Sequence, residues 1–125
     1  TTYWLSCPMY NKKVGSLEST GLIKELDKQI QKDKNLGNQW SERQRSYEEE
    51  RTQQIDGETK IHPYGGVGGA RESIKCLHSH LADQLATGKN IVGQIVEELV
   101  GGFNCQVPCI DEEQLEKNKA WKVEW

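Results

Sequence analysis

Three side chains that could do chemistry lie close together in the stretch GGVGGARESIKCLHSH, residues 65–80. They are Cys76, His78 and His80. We predict a helix from about Arg71 to Thr87, on which Cys76 and His80 lie one turn apart on the same face. A thiolate and an imidazole at that spacing can bind one zinc ion, which takes sulfur and nitrogen ligands. The alternative is that Cys76 only fills the core, as free cysteine often does.

A four-coordinate zinc site needs further ligands from elsewhere in the chain. Cys7 precedes a proline at the end of a β-prone segment, and Cys105 and Cys109 follow the last predicted helix. Their C-x3-C spacing is looser than the C-x2-C spacing of common zinc sites, and for Cys105 we favour a core position. The four cysteines could instead form two disulfides, in three alternative pairings. Because the spacing is not that of a dense secreted scaffold, we expect a cytoplasmic or other reducing compartment, with the thiols free or on a metal.

The glycine-rich segment before the predicted helix suggests an anion site. Backbone N–H groups of Gly66, Gly68 and Gly69 could, with the positive end of a helix, bind a phosphate or a carboxylate. The cationic side chains of Arg71 and Lys75 would attract the same ligand. The motif is not a P-loop, since it lacks the G-K-[ST] ending. The alternative is a turn in which glycine only lets the chain reverse direction.

The composition limits the class of protein. The 125 residues include 34% hydrophobic and 28% charged side chains, and the net charge is −3 from 16 basic and 19 acidic residues. This length suits one small domain with a modest core. No apolar run approaches the ~20 residues of a membrane span, and no basic block of the kind that binds nucleic acid is present. We therefore expect neither a membrane span nor nucleic-acid binding.

Hydrophobic spacing predicts a mainly α fold of the α+β type, a small helical domain with one or two short strands. We predict a single domain over residues 1–110, followed by a charged tail over 111–125 that could form a helix from Asp111. The expected elements are a strand at 1–6, helices at 9–20, 22–36, 38–55, 71–87 and 91–100, and an extended stretch at 103–109.

The helix predicted at 71–87 has two different faces. An apolar stripe faces the core, and His78 borders it, half buried. Cys76, His80 and Asp83 fall together on the opposite, polar side, so helix geometry favours His80 as the partner of Cys76. The stripe consists of Ile74, Leu77, Leu81 and Leu85.

Several segments resemble, in the same order, a bacterial family known as domain of unknown function 501. They run from residue 2 to about residue 109 and read TYWLSCP, SLESTGLIKEL, SYEEER, GVGG with IKCLHSHLADQLATGKNIVG, and CQVPC. The resemblance implies no activity, but it favours His78 over His80, and it places Asp83 where many members have a histidine. Asp83 could replace that histidine as a ligand or as a hydrogen-bond acceptor. The positions that the resemblance singles out are Cys7, Cys76, His78 and Cys109.

We predict a zinc-stabilised structural or protein-interaction module, in which three cysteines and one histidine meet at the metal. The polar helix at 38–55 and the terminal tryptophans would contact a protein partner. The alternative is an enzyme that uses Cys76 or a metal-bound water, with a histidine as base, on a phosphate- or carboxylate-bearing ligand at Gly65–Gly69. A third hypothesis has no metal, and there Cys76 could be a reactive thiol. The predicted metal ligands are Cys7, Cys76, His78, His80 and Cys109, with His62 a weaker candidate, and the predicted anion-binding residues are Gly66, Gly68, Gly69, Arg71 and Lys75.

Overall fold

The computed structural model describes residues 1–55, 64–102 and 105–122. Within these ranges the chain forms five α-helices, one short 3-10 turn and a two-stranded antiparallel sheet, which confirms the predicted mainly α fold. None of these helices is both long enough and apolar enough to cross a membrane. The elements are α1 (Pro8–Glu18), α2 (Leu22–Lys32), α3 (Lys34–Gln54), the 3-10 turn (Val67–Gly69), α4 (Leu77–Thr87), α5 (Ile91–Val100), β1 (Ile110–Asp111) and β2 (Glu116–Lys117).

Local capping chemistry sets the boundaries of the first three helices. Gly21 joins α1 to α2 with a φ of +83°, a conformation that glycine adopts without strain. Asp33 separates α2 from α3, because its carboxylate accepts hydrogen bonds from the backbone N–H groups two and three residues later, at 2.9 and 3.2 Å. The predicted boundary at Gly37 is therefore wrong, and Gly37 lies inside α3.

The N-terminal segment is not the predicted strand. Residues 1–6 form no strand in the structure, since an extended segment becomes a strand only when another strand pairs with its backbone. The N–H of Thr2 instead donates a hydrogen bond of 2.8 Å to the hydroxyl of Tyr47 on α3. The segment is thereby attached to α3.

The C-terminal segment forms a hairpin instead of the expected helix. Ile110 pairs with Lys117, and Asp111 pairs with Glu116. The carboxylate of Asp111 accepts hydrogen bonds from the N–H groups of residues 113 and 114 and so stabilises the turn. Leu115 completes this turn with a positive φ of 55°. The domain boundary at residue 110 stays a prediction.

The core lies where the five helices meet. Helix α5 packs closely on α4 because Gly93 has no side chain, and a Cβ at that position would collide with the backbone carbonyl of His80. Leu85, which we predicted on the apolar stripe of α4, is 46% exposed. The buried core residues are Val14, Leu26, Trp40, Ile74, Leu77, Leu81, Val92, Val96 and Val100.

Candidate metal centre

The position at which α4 begins decides where the predicted metal ligands lie. The helix starts at Leu77 and not near Arg71, and Cys76 is its N-cap residue with an extended backbone (φ −148°). The predicted pairing of Cys76 with His80 assumed that both residues are helical, so that helical argument does not apply. His80 lies in the core instead, with 1% of its surface exposed, and the expectation that it occupies a polar outer face is wrong.

Cys76 and His78 meet Glu18, the last residue of α1, in a group of three potential metal ligands. One ligand atom from each residue lies within 4.8 Å of the other two, and His78 Nδ1 is 3.1 Å from Glu18 Oε1. All three side chains are partly exposed. This Glu18–Cys76–His78 cluster joins the C-terminal end of α1 to the N-terminal end of α4. Oxygen, sulfur and nitrogen are the donor atoms of protein zinc sites, so the residues fit a zinc ion.

Hydrogen bonds fix the orientation of two of these side chains. Glu18 Oε1 accepts the N–H of Leu77 at 2.8 Å, and the carboxylate thereby caps α4 at the end where negative charge is favourable. His78 Nε2 lies 3.2 Å from the backbone carbonyl oxygen of Asn11. A histidine that binds metal through one ring nitrogen commonly donates its other N–H to such an acceptor. The ring is therefore held with Nδ1 toward Glu18.

The cluster lies beside a cleft of about 390 Å³. Cys76 and His78 form part of its wall, and Gly68 reaches it from the glycine-rich loop. A small molecule in this cleft would lie next to the thiol and the imidazole. The remaining lining residues are Thr1, Tyr3, Trp4, Leu5, Asn11 and Ser79.

The glycine-rich loop uses several of its own polar groups internally. The N–H of Gly66 donates to the carbonyl of Ala70 at 2.7 Å, and the N–H of Gly69 donates to the carbonyl of Gly66 at 3.0 Å. Gln44 on α3 holds the loop from the side, since its amide donates to Ala70 and accepts from Val67. Two of the three glycine N–H groups predicted to bind an anion are therefore already hydrogen-bonded.

The two cationic residues and the helix end of the predicted anion site also have surroundings that differ from those expected. Arg71 stacks on the ring of Tyr64 at 4.2 Å, and the side chain of Lys75 is exposed. The N-terminus of α4 is capped by Glu18. Anion binding stays a prediction for Gly66, Gly68, Gly69, Arg71 and Lys75.

A network of polar side chains lies in the core beside His80, and the spacing of residues in the sequence does not reveal it. Arg43 on α3 donates two hydrogen bonds to the carboxylate of Asp83 on α4, at 2.8 and 2.7 Å. Asn90, the N-cap of α5, donates to the same carboxylate at 2.9 Å and accepts the N–H of Gly93. His80 Nδ1 lies 3.1 Å from the Asn90 side-chain oxygen. This Arg43–Asp83 network, with His80 included, links three helices.

Burial controls the ionisation of the network. Desolvation lowers the pKa of His80 to about 4, and the hydrogen bond to Asn90 and the charges of Asp83 and Asp27 offset only part of that shift. His80 is therefore neutral at pH 7. The hydrogen bonds to Asp83 raise the pKa of Arg43. Among the residues described, His80 Nε2 has no hydrogen-bond partner.

Cys7 and Cys109, the other two predicted ligands, line one cavity at a different place. Both line a cavity of about 450 Å³ between the start of α1 and the C-terminal hairpin, and both are partly buried free thiols. Neither belongs to the Glu18–Cys76–His78 cluster. The predicted ligand set is thus divided between two places in the fold. Cys105 is a third half-buried free thiol, and His62 lies outside the described residues.

Comparison with known proteins supplies a family but no activity. The family model described as "Protein of unknown function (DUF501)" matches residues 1–98, which are 98 of the 125 residues. Glu18, Cys76 and His78 lie inside the matched range, and Cys109 lies beyond it. No curated protein and no solved structure matches the chain.

Proposed function

This chain belongs to the DUF501 family, whose function is unknown, and we propose that it is a zinc-binding domain whose metal is held by the Glu18–Cys76–His78 cluster. The observation that carries the proposal is the orientation of His78. Its Nδ1 faces Glu18, and its Nε2 lies against the carbonyl of Asn11. That pair of contacts is the arrangement expected of a histidine that ligates metal through Nδ1.

The proposed role of the metal is structural. Glu18 ends α1, whereas Cys76 and His78 begin α4, so one ion would join two helix ends that are far apart in sequence. An ion that binds only the folded chain adds its binding free energy to the stability of the fold. Because the thiol of Cys76 must be reduced to bind zinc, the proposal also requires the reducing compartment that we predicted.

A protein partner is the second part of this proposal. Trp4 is 83% exposed and Tyr64 is 68% exposed, and aromatic side chains of this kind often anchor protein interfaces. On the outer face of α3, Arg45 pairs with Glu42 and Glu49, so these charges already have partners. We therefore place the proposed contact at Trp4 and Tyr64 rather than on the polar face of α3.

An enzyme is the alternative, and the cleft beside the cluster is the observation that favours it. A structural zinc site has four protein ligands, whereas a catalytic site has three and an open position. The cluster supplies three, and Cys76 and His78 face the cleft. A ligand bound there would meet a thiol and an imidazole.

Metal titration tests the proposal. The purified protein is titrated with zinc against a chromophoric chelator, and with cobalt(II), whose spectrum reports thiolate coordination. We expect one tightly bound metal ion per chain and a sulfur-to-cobalt absorption band. Cys76→Ser and His78→Gln should each weaken binding by more than about 100-fold, because loss of a partner of a ligand alone costs about 10- to 100-fold.

Cys105→Ser is the matched control, since this half-buried thiol lies outside the cluster, and it should bind zinc as the wild type does. Binding that is unchanged in Cys76→Ser contradicts the proposal.

Addition of azide to the cobalt form distinguishes the structural role from the catalytic role. A shifted cobalt spectrum indicates an open position and favours the enzyme, and an unchanged spectrum favours the structural site.

A further inference from the structure

Two of the four cysteines share one cavity outside the proposed zinc site. Cys7 is the N-cap residue of α1, and Cys109 directly precedes β1. Both line the 450 Å³ cavity, whose other walls include Pro8, Ile110 and Trp121. The backbone carbonyl of Cys109 accepts the N–H of residue 118 at 2.9 Å, so the hairpin fixes its position. The fold thus brings two soft sulfur donors to one mainly apolar space.

The same cavity contains two groups suited to a negatively charged sulfur site. Lys117 supplies a positive charge to its wall. The indole N–H of Trp121 is buried and has no hydrogen-bond partner among the described residues, although a buried N–H group nearly always has one. A sulfur ligand that carries negative charge would accept this hydrogen bond. The indole N–H is therefore a donor that a ligand in this cavity could satisfy.

The number and type of donors select the ion. Protein zinc sites have at least three Cys, His, Asp or Glu ligands, whereas this cavity offers two thiols and, among the described residues of its wall, no third side chain of those types. Soft thiolate ligands favour Cu(I), a monovalent cation that is stable with two sulfur ligands. We propose that Cys7 and Cys109 form a second metal site, for a soft monovalent cation of the Cu(I) class.

The charges of this site balance. Each thiol releases one proton to solvent when it binds, and two thiolates with one monovalent cation leave a net charge of −1. The ammonium group of Lys117 offsets that charge, and the indole N–H of Trp121 donates to one of the sulfurs. A divalent ion with the same two ligands would be neutral and would leave its remaining coordination positions unfilled.

An anaerobic titration with Cu(I) against a chromophoric Cu(I) chelator tests this site. Because Cys76 is also a soft ligand, the titration uses the full-length Cys76→Ser protein beside the wild type. We expect the Cys76→Ser protein to retain one tightly bound Cu(I), with two sulfur neighbours in its X-ray absorption spectrum. Adding either Cys7→Ser or Cys109→Ser should weaken that binding by more than about 100-fold.

Two further variants separate binding from folding. Trp121→Phe keeps an aromatic side chain and removes the indole N–H, and it should weaken Cu(I) binding by about 10- to 100-fold, whereas Cys105→Ser should leave it unchanged. The far-UV circular dichroism spectrum and the urea midpoint of the Cys7→Ser and Cys109→Ser proteins report whether the fold survives. Cu(I) binding that is unaffected by Cys7→Ser or by Cys109→Ser overturns the proposal. So does a bound ion with fewer than two sulfur neighbours.

Discussion

His78 and His80 are two residues apart on α4, yet they lie in opposite kinds of environment. His78 keeps 29% of its side-chain surface exposed and contacts a carboxylate that is also partly exposed. His80 is 1% exposed and contacts the side chain of Asn90. Two residues turn a helix by about 200°, so neighbours of this spacing face away from each other. The same residue type therefore belongs to a candidate binding site in one case and to the core in the other.

The two carboxylates beside these histidines show the same contrast. Asp83 is fully buried, and both of its oxygens accept hydrogen bonds from Arg43. Glu18 is 27% exposed and has one oxygen that caps α4 and faces His78. A buried charge is tolerated only with its partners in place, whereas a partly exposed carboxylate can change partners at little cost. We infer that the Arg43–Asp83 network serves stability and that Glu18 is free to serve binding.

The largest expected effect is that of Asp83→Asn. Asp83 Oδ2 accepts from both Arg43 and Asn90, and Oδ1 accepts a second bond from Arg43. An amide has only one acceptor oxygen, so its NH2 group would face a donor and leave Arg43 without its buried counter-charge. We expect a loss of about 3–5 kcal/mol in the free energy of unfolding, measured by urea denaturation.

Glu50→Gln is the matched control for that substitution. Glu50 also binds Arg43, at 3.2 Å, but its side chain is 40% exposed. Water therefore screens the pair, and the loss should not exceed about 1 kcal/mol. Equal losses in the two variants would show that burial does not determine how much each ion pair of Arg43 stabilises the fold. That result would contradict the contrast between buried Asp83 and exposed Glu50.

A pH titration of stability tests the environment of His80. Its pKa is about 4 in the folded protein and about 6.5 in the unfolded chain. Between these values the unfolded chain binds a proton that the folded protein does not. The contribution of neutral His80 to the free energy of unfolding is therefore complete above pH 6.5 and is lost as the pH drops toward 4. The expected contribution of His80 to this fall is about 3 kcal/mol.

His80→Gln should remove that contribution from the pH dependence of unfolding, and the wild type minus variant difference isolates it from the carboxylates that titrate nearby. A slope between pH 6.5 and pH 4 that persists unchanged in His80→Gln would contradict the burial of that ring.

The helical fold could be predicted from the sequence because its signals are local. The apolar spacing of α2 and α5, and Asn90 as the N-cap of α5, are visible as residue patterns. The start of α4 could not be placed in this way, because the N–H of Leu77 is capped by Glu18 from another helix. The prediction of a strand at residues 1–6 was wrong for a related reason, since a strand needs a pairing partner that local sequence does not supply.

Part of the candidate site could be predicted from residue types in the sequence, and the rest became visible only from distances in the structure. Cys76 and His78 could be singled out because thiols and imidazoles are few in this chain. Glu18 could not, since it is one of 19 acidic residues and nothing in the sequence connects it to Cys76. Arg43 lies in the strongly polar helix predicted at 38–55, and only the packing of α3 against α5 and its pairing with Asp83 show that it is buried.

The smallest expected effect is that of Glu18→Gln, which distinguishes the role of Glu18 as a helix cap from its proposed role as a metal ligand. The amide oxygen of glutamine can still accept the N–H of Leu77, so in the presence of a chelator the variant loses a favourable charge at the start of α4 and an unfavourable one at the end of α1, and its stability should change by less than about 1 kcal/mol. Glu25→Gln is the control, because Glu25 is an exposed carboxylate in the first turn of α2 and should change stability by no more than about 1 kcal/mol. Zinc at 100 times its dissociation constant should stabilise the wild type and Glu25→Gln by about 2.7 kcal/mol. Because the amide replaces an anionic ligand, the same zinc concentration should stabilise Glu18→Gln much less, and equal stabilisation of all three proteins would leave Glu18 as a helix cap alone.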